Sequence, residues 1–189
     1  MNRLTAPKPF FDAAIAAFPS SCQALAADAA AKLAPIVDDT YRKRAVCLDV
    51  DGRNVYIPER LHFHNGKEIF DQPDQLPLIA RCLLTRSTDG HLRQRALRNI
   101  VDSHEKWVIP FIVLLTGDYV VEVVTEILPA LPKLDRPSYS NFVLQNRPAM
   151  RVLRSKATSY WNAYYRQTYP NPRTYPGLVA LHELETWAA

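Results

Sequence analysis

The sequence predicts a mainly α-helical single domain, a bundle of short helical hairpins with one small β-hairpin near residues 44–58. Three observations predict it. Apolar residues recur at spacings of three and four over most of the chain, as on the buried stripe of a helix. The period drops to two on either side of Asp51-Gly52, and an Asp-Gly pair between alternating segments signals a two-residue turn, whose positions need φ > 0. The 189 residues, 48% hydrophobic and 22% charged, suit one globular core spanning 1–189.

Residues 10–37 supply two helices. Phe10, Phe11, Ala14, Ile15 and Phe18 follow helical spacing until Pro19. Ser20 or Ser21 then caps an alanine-rich helix to about Val37, with Leu25, Ala29 and Leu33 as its stripe. A two-residue turn pairs Val50 with Arg53, Leu48 with Val55 and Val46 with Ile57, so Val46, Leu48, Val55 and Ile57 share a face that needs covering. Leu61–His64 is a candidate third strand, followed by a loop from Asn65 to Pro73.

Helical hairpins are expected over 76–131. Leu76–Leu84 is the first helix; Asp89–Asp102 is the second, with Leu92, Ala96, Leu97, Ile100 and Val101 inward and Arg93, Arg95 and Arg98 outward. His104–Thr116, capped by Ser103, is apolar all round and so buried, with Pro110 bending or delaying it. Asp118 caps the fourth helix, to about Leu131. Its valines favour a strand by propensity, but Glu122 and Glu126, four apart and opposite the apolar stripe that begins at Tyr119, favour a helix. The basic, aromatic C-terminal helices occupy 138–187: Ser138–Gln145, then Pro148 to about Thr168 with Met150, Leu153, Ala157, Trp161 and Tyr164 inward. A proline-fixed loop from Tyr169 to Gly177 leads to a last amphipathic helix, Leu178–Trp187.

Two phrases carry a resemblance. Asp89-Gly90-His91-Leu92-Arg93-Gln94-Arg95-Ala96-Leu97 resembles the opening helix of a HEAT-type repeat. Trp107-Val108-Ile109-Pro110-Phe111 and Ser159-Tyr160-Trp161-Asn162-Ala163-Tyr164-Tyr165-Arg166 resemble phrases in a bacterial protein family to which no activity is attached. The resemblance implies HEAT-like helical packing and carries no function with it.

Composition narrows the function classes. No apolar run approaches the roughly 20 residues of a membrane span. Asp12 interrupts the N-terminal apolar stretch, which reads as helix rather than as a secretory leader. Cys22, Cys47 and Cys82 are odd in number, widely spaced and set among apolar neighbours, so they read as buried small hydrophobes in a reducing, cytoplasmic setting. The chain has no GxSxG, no HExxH and no glycine-rich phosphate loop. No cofactor and no catalytic residue is expected, and an enzyme is the lesser alternative.

Charge is the strongest anomaly. Lys133, Arg136, Arg147, Arg151, Arg154, Lys156, Arg166 and Arg173 are opposed between 133 and 173 by Asp135 alone, within a net charge of +4 for the chain. Arg147, Arg151 and Arg154 share one helical face, and tyrosines including Tyr165 and Tyr169 interleave with the cations. Arginine and tyrosine are typical interface anchors, so the candidate binding residues are Arg147, Arg151, Arg154, Tyr165, Arg166, Tyr169 and Arg173, and the expected partner is an acidic protein. The same surface suits nucleic acid, with aromatics stacking on bases. The plain alternative is a solvated helix face whose arginines pair with Glu122, Glu126 or Asp118. A cryptic hydrolase or metal enzyme would draw on His62, His64, His91 or His104. His62 and His64 lie on one strand face, with Glu59 or Glu68 as further donors, but the set is incomplete for zinc, so no metal is expected.

Overall fold

The computed structural model of the chain describes residues 10–38, 44–64 and 76–189. The expected loop from Asn65 to Pro73 and Glu68 lie outside the described residues. Among them the chain is mostly helical with one two-stranded antiparallel sheet. The elements are α1 (Phe10–Ala16), α2 (Gln23–Leu33), β1 (Ala45–Val50), β2 (Arg53–Pro58), α3 (Leu78–Leu84), α4 (Gly90–Arg98), α5 (Ile109–Leu115), α6 (Val121–Thr125), α7 (Arg136–Gln145), α8 (Arg147–Tyr160) and α9 (Pro176–Trp187). No described helix is long and apolar enough to cross a membrane.

The hairpin follows its turn chemistry. Asp51 and Gly52 have φ of 52° and 79°, and the strands pair Val50 with Arg53, Leu48 with Val55 and Val46 with Ile57. Leu48, Val50, Val55 and Ile57 are buried, covered in part by α1 and α7. Asn146, at the joint of α7 and α8, fixes the docking. Its side-chain amide donates to the carbonyls of Asp49 (2.8 Å) and Phe142 (2.9 Å), and its Oδ1 accepts from the Asp49 amide (2.8 Å). Leu61–His64 is not a third strand of this sheet. It makes two isolated bridges instead, Leu61 to Ser87 and Phe63 to Val37.

α5 is the centre of the molecule: every residue from Ile109 to Leu115 is buried. Pro110 sits in its first turn, where no amide partner is needed, and the helix begins only at Ile109, later than the expected His104. Ser103 starts no helix; a short 3-10 turn over Lys106–Val108 leads into α5. Two glycines allow backbones to touch around it. A Cβ on Gly177 would meet the Thr116 carbonyl at 2.8 Å, and one on Gly117 would meet Leu153 Cδ2 at 2.9 Å, so α8 and α9 close against the end of α5.

Several side chains depart from their expected faces. Leu25 is 60% exposed, because α2 buries Ala26, Ala29, Ala30 and Leu33 against α1 and α3 instead. Cys47 is exposed on the outer face of β1, whereas Cys22 and Cys82 are buried. Tyr119 is 43% exposed. Arg93, expected outward, is fully buried. Its Nη1 donates to the Ser87 and Thr88 carbonyls, and its Nη2 pairs with Asp118 Oδ1 at 2.9 Å. Arg60 takes the other Asp118 oxygen at 2.9 Å. Asp118 also accepts from the Val120 amide, so the residue expected to cap α6 ties α4, α6 and the segment after β2 together. Burial works against the charged Arg93 guanidinium, but the Asp118 charge and hydrogen bond outweigh it and hold its pKa above the ordinary value.

The buried ionisable groups predict an alkaline weakness. Burial raises the Cys82 thiol well above its ordinary range and raises the phenols of Tyr139 and Tyr175, with nearby negative charges adding to the phenol shifts. Folding therefore keeps these three protons after the unfolded chain has released them. Their stability is intact below the unfolded pKa values of about 8.5 for Cys and 10 for Tyr and is lost as pH rises beyond. Arg86 acts oppositely: burial, then Arg60, lowers it to about 9, so the penalty for its charge is relieved above that pH. Three groups against one leaves a net loss. Urea midpoints should fall between pH 9 and pH 11, at about 1.4 kcal/mol per pH unit for each net proton. Midpoints that rise over that range would refute the assignment.

Candidate binding face

The basic residues after position 133 divide into paired and unpaired. α8 begins with Pro148 in its first turn and buries Met150, Leu153 and Ala157, as their spacing requires. This places Arg147 and Arg151 on its exposed side, four residues apart. Arg154, three residues further and half-buried, faces α9. There Glu185 takes it through both guanidinium edges, Nε to Oε1 at 3.2 Å and Nη2 to Oε2. Lys156 pairs with Glu59 at 3.3 Å. Arg136 lies over the Trp187 ring at 5.3 Å, and Arg166 over Trp161 at 5.5 Å while bonding Asn162. Arg147, Arg151 and Arg173 are exposed and make no ion pair among the described residues. Two of the three carboxylates expected to neutralise this face are engaged elsewhere: Asp118 with Arg60 and Arg93, and Glu126 with Arg98 and Gln94. The carboxylates that reach these cations are Glu185, in the last helix, and Glu59, after β2.

The tyrosines serve mainly as internal packing. After Tyr160 the helix widens into a π turn over Trp161–Tyr165. The wider turn carries one more residue than the α-helical count, so Tyr165 rather than Tyr164 turns inward. Tyr164 is 70% exposed. The Tyr165 hydroxyl donates to the Tyr119 carbonyl (2.8 Å) and accepts from the Val121 amide (3.3 Å), and its ring stacks on Tyr175 with centroids 5.4 Å apart. Tyr169 packs edge-on against Tyr175, and its carbonyl accepts from the Trp161 indole at 2.8 Å. Tyr165 and Tyr169 thus anchor the proline-fixed loop to α8.

Between that loop, the end of α8 and the start of α9 lies a groove of about 760 Å³, within the range of ligand-sized sites. Trp161, Pro172, Leu178 and Val179 give it apolar walls, with Arg154, Arg173 and His182 at its polar positions. No single stretch of sequence carries this groove, because its walls come from three separate segments, 154–161, 172–173 and 178–182.

The histidines are distributed otherwise. His91 and His104 are exposed and lie in different parts of the chain. His62 and His64 gather with Asp38, their donor atoms all within 4.8 Å of one another. The cause is the Val37–Phe63 bridge, in which the Asp38 amide donates to the His62 carbonyl (2.9 Å) and the His64 amide to the Ile36 carbonyl (2.6 Å). This sets residues 38, 62 and 64 on the face opposite Val37 and Phe63. Asp38 is therefore the nearby carboxylate, while Glu59 turns to Lys156. These are the residues that could hold a divalent ion. Their spread exceeds the roughly 3.3 Å between donors of a tetrahedral zinc site with 2.0–2.1 Å bonds, and Nδ1 of His62 is bonded to Thr88 at 2.9 Å.

Comparison of the chain with protein-family models, with curated proteins and with solved structures returned no match.

Proposed function

We propose that the chain is a non-enzymatic protein-interaction module, of the kind that serves as an immunity protein or adaptor, and that it takes an acidic partner on its C-terminal face. One observation carries the reading: Arg147, Arg151 and Arg173 stand exposed and without acidic mates among the described residues, and Arg173 also lines an apolar-walled groove. A partner segment with an apolar anchor flanked by carboxylates fits both features. The anchor fills the groove, and the carboxylates meet guanidinium groups whose planar forks bind them in two-bond fashion. A bacterial setting and HEAT-like stacking of the helical hairpins belong to the same reading and rest on the sequence resemblances, and a cytoplasmic setting rests on the cysteine pattern.

Nucleic acid is the weaker alternative for this face. Stacking on bases needs free aromatic planes, and Tyr165, Tyr169 and Tyr175 spend theirs on one another, which leaves Tyr164 as the exposed ring of this cluster.

The test is charge reversal. Arg147→Glu, Arg151→Glu and Arg173→Glu together should leave the melting temperature within about 2 °C, since surface substitutions away from packed features cost little. Affinity for an acidic protein captured by the wild-type chain should fall at least tenfold. Capture unchanged by the triple reversal would overturn the proposal. So would salt-sensitive binding to DNA or RNA oligonucleotides that the same reversal abolishes, because that result moves the face to nucleic acid.

A further inference from the structure

On the opposite side of α8 from the groove, Lys156 and Tyr160 line a second cavity of about 230 Å³ together with Glu59, Arg60, Arg86 and Tyr119. Its walls bring together the segment after β2, the end of α3 and the start of α6. It is unusual for what it buries. Arg86 is 3% exposed. Its Nε donates to the Pro58 carbonyl (2.9 Å) and its Nη2 to the Glu59 carbonyl (2.8 Å), but Nη1, also buried, has no hydrogen-bond partner among the described residues. A buried donor left open costs more than a hydrogen bond gains, and a guanidinium more than a neutral group.

Charge around the cavity is also unbalanced. Arg60, Arg86, Arg93 and Lys156 bring four positive charges, while Asp118 and Glu59 bring two negative ones. Asp118 spends its two oxygens on Arg60 and Arg93, and Glu59 meets Lys156. Among the described residues no carboxylate is bonded to Arg86, whose bonds go to neutral carbonyls. Burial first, and the neighbouring Arg60 next, lower its pKa to about 9.

We propose that this cavity is a binding site for a small dianionic oxyanion of the phosphate type, held by Arg86, Arg60 and Lys156. Two negative charges match the surplus, and tetrahedral oxygens suit guanidinium donors converging with an ammonium. The volume lies below the 300–1,000 Å³ usual for drug-sized ligands, which restricts the ligand to phosphate itself or the phosphate end of a small monoester. The hydroxyls of Tyr119 and Tyr160 are the remaining polar groups of the two aromatic residues lining it. Their rings pack edge to face at 6.1 Å. The site is independent of the docking face proposed above.

The experiment titrates the full chain with inorganic phosphate at constant ionic strength in chloride, following the melting temperature and the heat of binding. Wild type should show a saturable rise of about 5 °C or more at a hundredfold excess over Kd. Lys156→Met, at a partly exposed position, should bind at least tenfold more weakly, while Lys133→Met on a different surface should bind as wild type does. Arg86→Met should abolish binding, but Arg86 also secures two carbonyls, so the lysine variants decide the matter. Phosphate also stabilises proteins through exclusion from their surfaces. A rise that never saturates, or that is equal in Lys156→Met, would overturn the site. Tighter binding of glycerol 3-phosphate assigns it to a phosphomonoester, and equal or weaker binding assigns it to free phosphate. No saturable response to either refutes it.

Discussion

Asp118→Ala should lower the free energy of unfolding by about 3–5 kcal/mol, the usual cost of removing one partner from a buried ion pair. Asp118 is 2% exposed and holds Arg93, which has no access to water, and Arg60. Taking the carboxylate away strands the Arg93 charge in the core with no anionic partner among the described residues, leaving it the Ser87 and Thr88 carbonyls and the Tyr119 ring. It also frees the Val120 amide that opens α6. Asp118→Asn keeps an acceptor of the same shape and should lose less, which separates the charge from the packing. Urea titration of the three proteins at pH 7 measures both. An alanine variant within 1 kcal/mol of wild type would show that Arg93 finds another partner.

The second large effect is expected at Asn146. Asn146→Ala removes three hydrogen bonds, two of them to the backbone of Asp49, across a separation of 97 residues. With each unsatisfied group costing about 1–3 kcal/mol where buried, a loss of about 2–4 kcal/mol follows. Asn146→Asp should be no better, because a carboxylate accepts from the Asp49 amide but repels the carbonyls of Asp49 and Phe142. Amide hydrogen exchange supplies the local readout: Asp49 should exchange much faster in either variant. Unchanged protection at Asp49 would mean that the hairpin is held by its apolar face alone.

These two residues show where sequence reading stops. The hairpin was legible because its signal is local: Asp51-Gly52 sets the turn, and the turn sets the register. α5 was legible because a helix apolar all round has only one place to go. Arg93 was not, since an arginine on a helix is ordinarily solvated, and only a carboxylate 25 residues away makes its burial tolerable. The alanine-rich α2 misled for a related reason. Alanines pack closely where helices meet, so the buried stripe follows the small residues and leaves Leu25 outside. In the binding face, helical spacing placed Arg147 and Arg151 outside together. It missed Glu185, which reaches Arg154 from another helix, and the groove, whose walls are joined only by tertiary packing.

The π turn at Trp161–Tyr165 carries a consequence for how this chain tolerates length changes. A residue accommodated as a bulge shifts the angular phase of everything after it by about 100°, the rotation per residue of an α-helix. Excising a single position between Tyr160 and Arg166 would let the helix close regularly, yet would swing the Tyr165 phenol off its seat between the Tyr119 carbonyl and the Tyr175 ring. An indel there is thus costlier than one in the neighbouring loop, and homologues should vary in length after Tyr169 rather than before it.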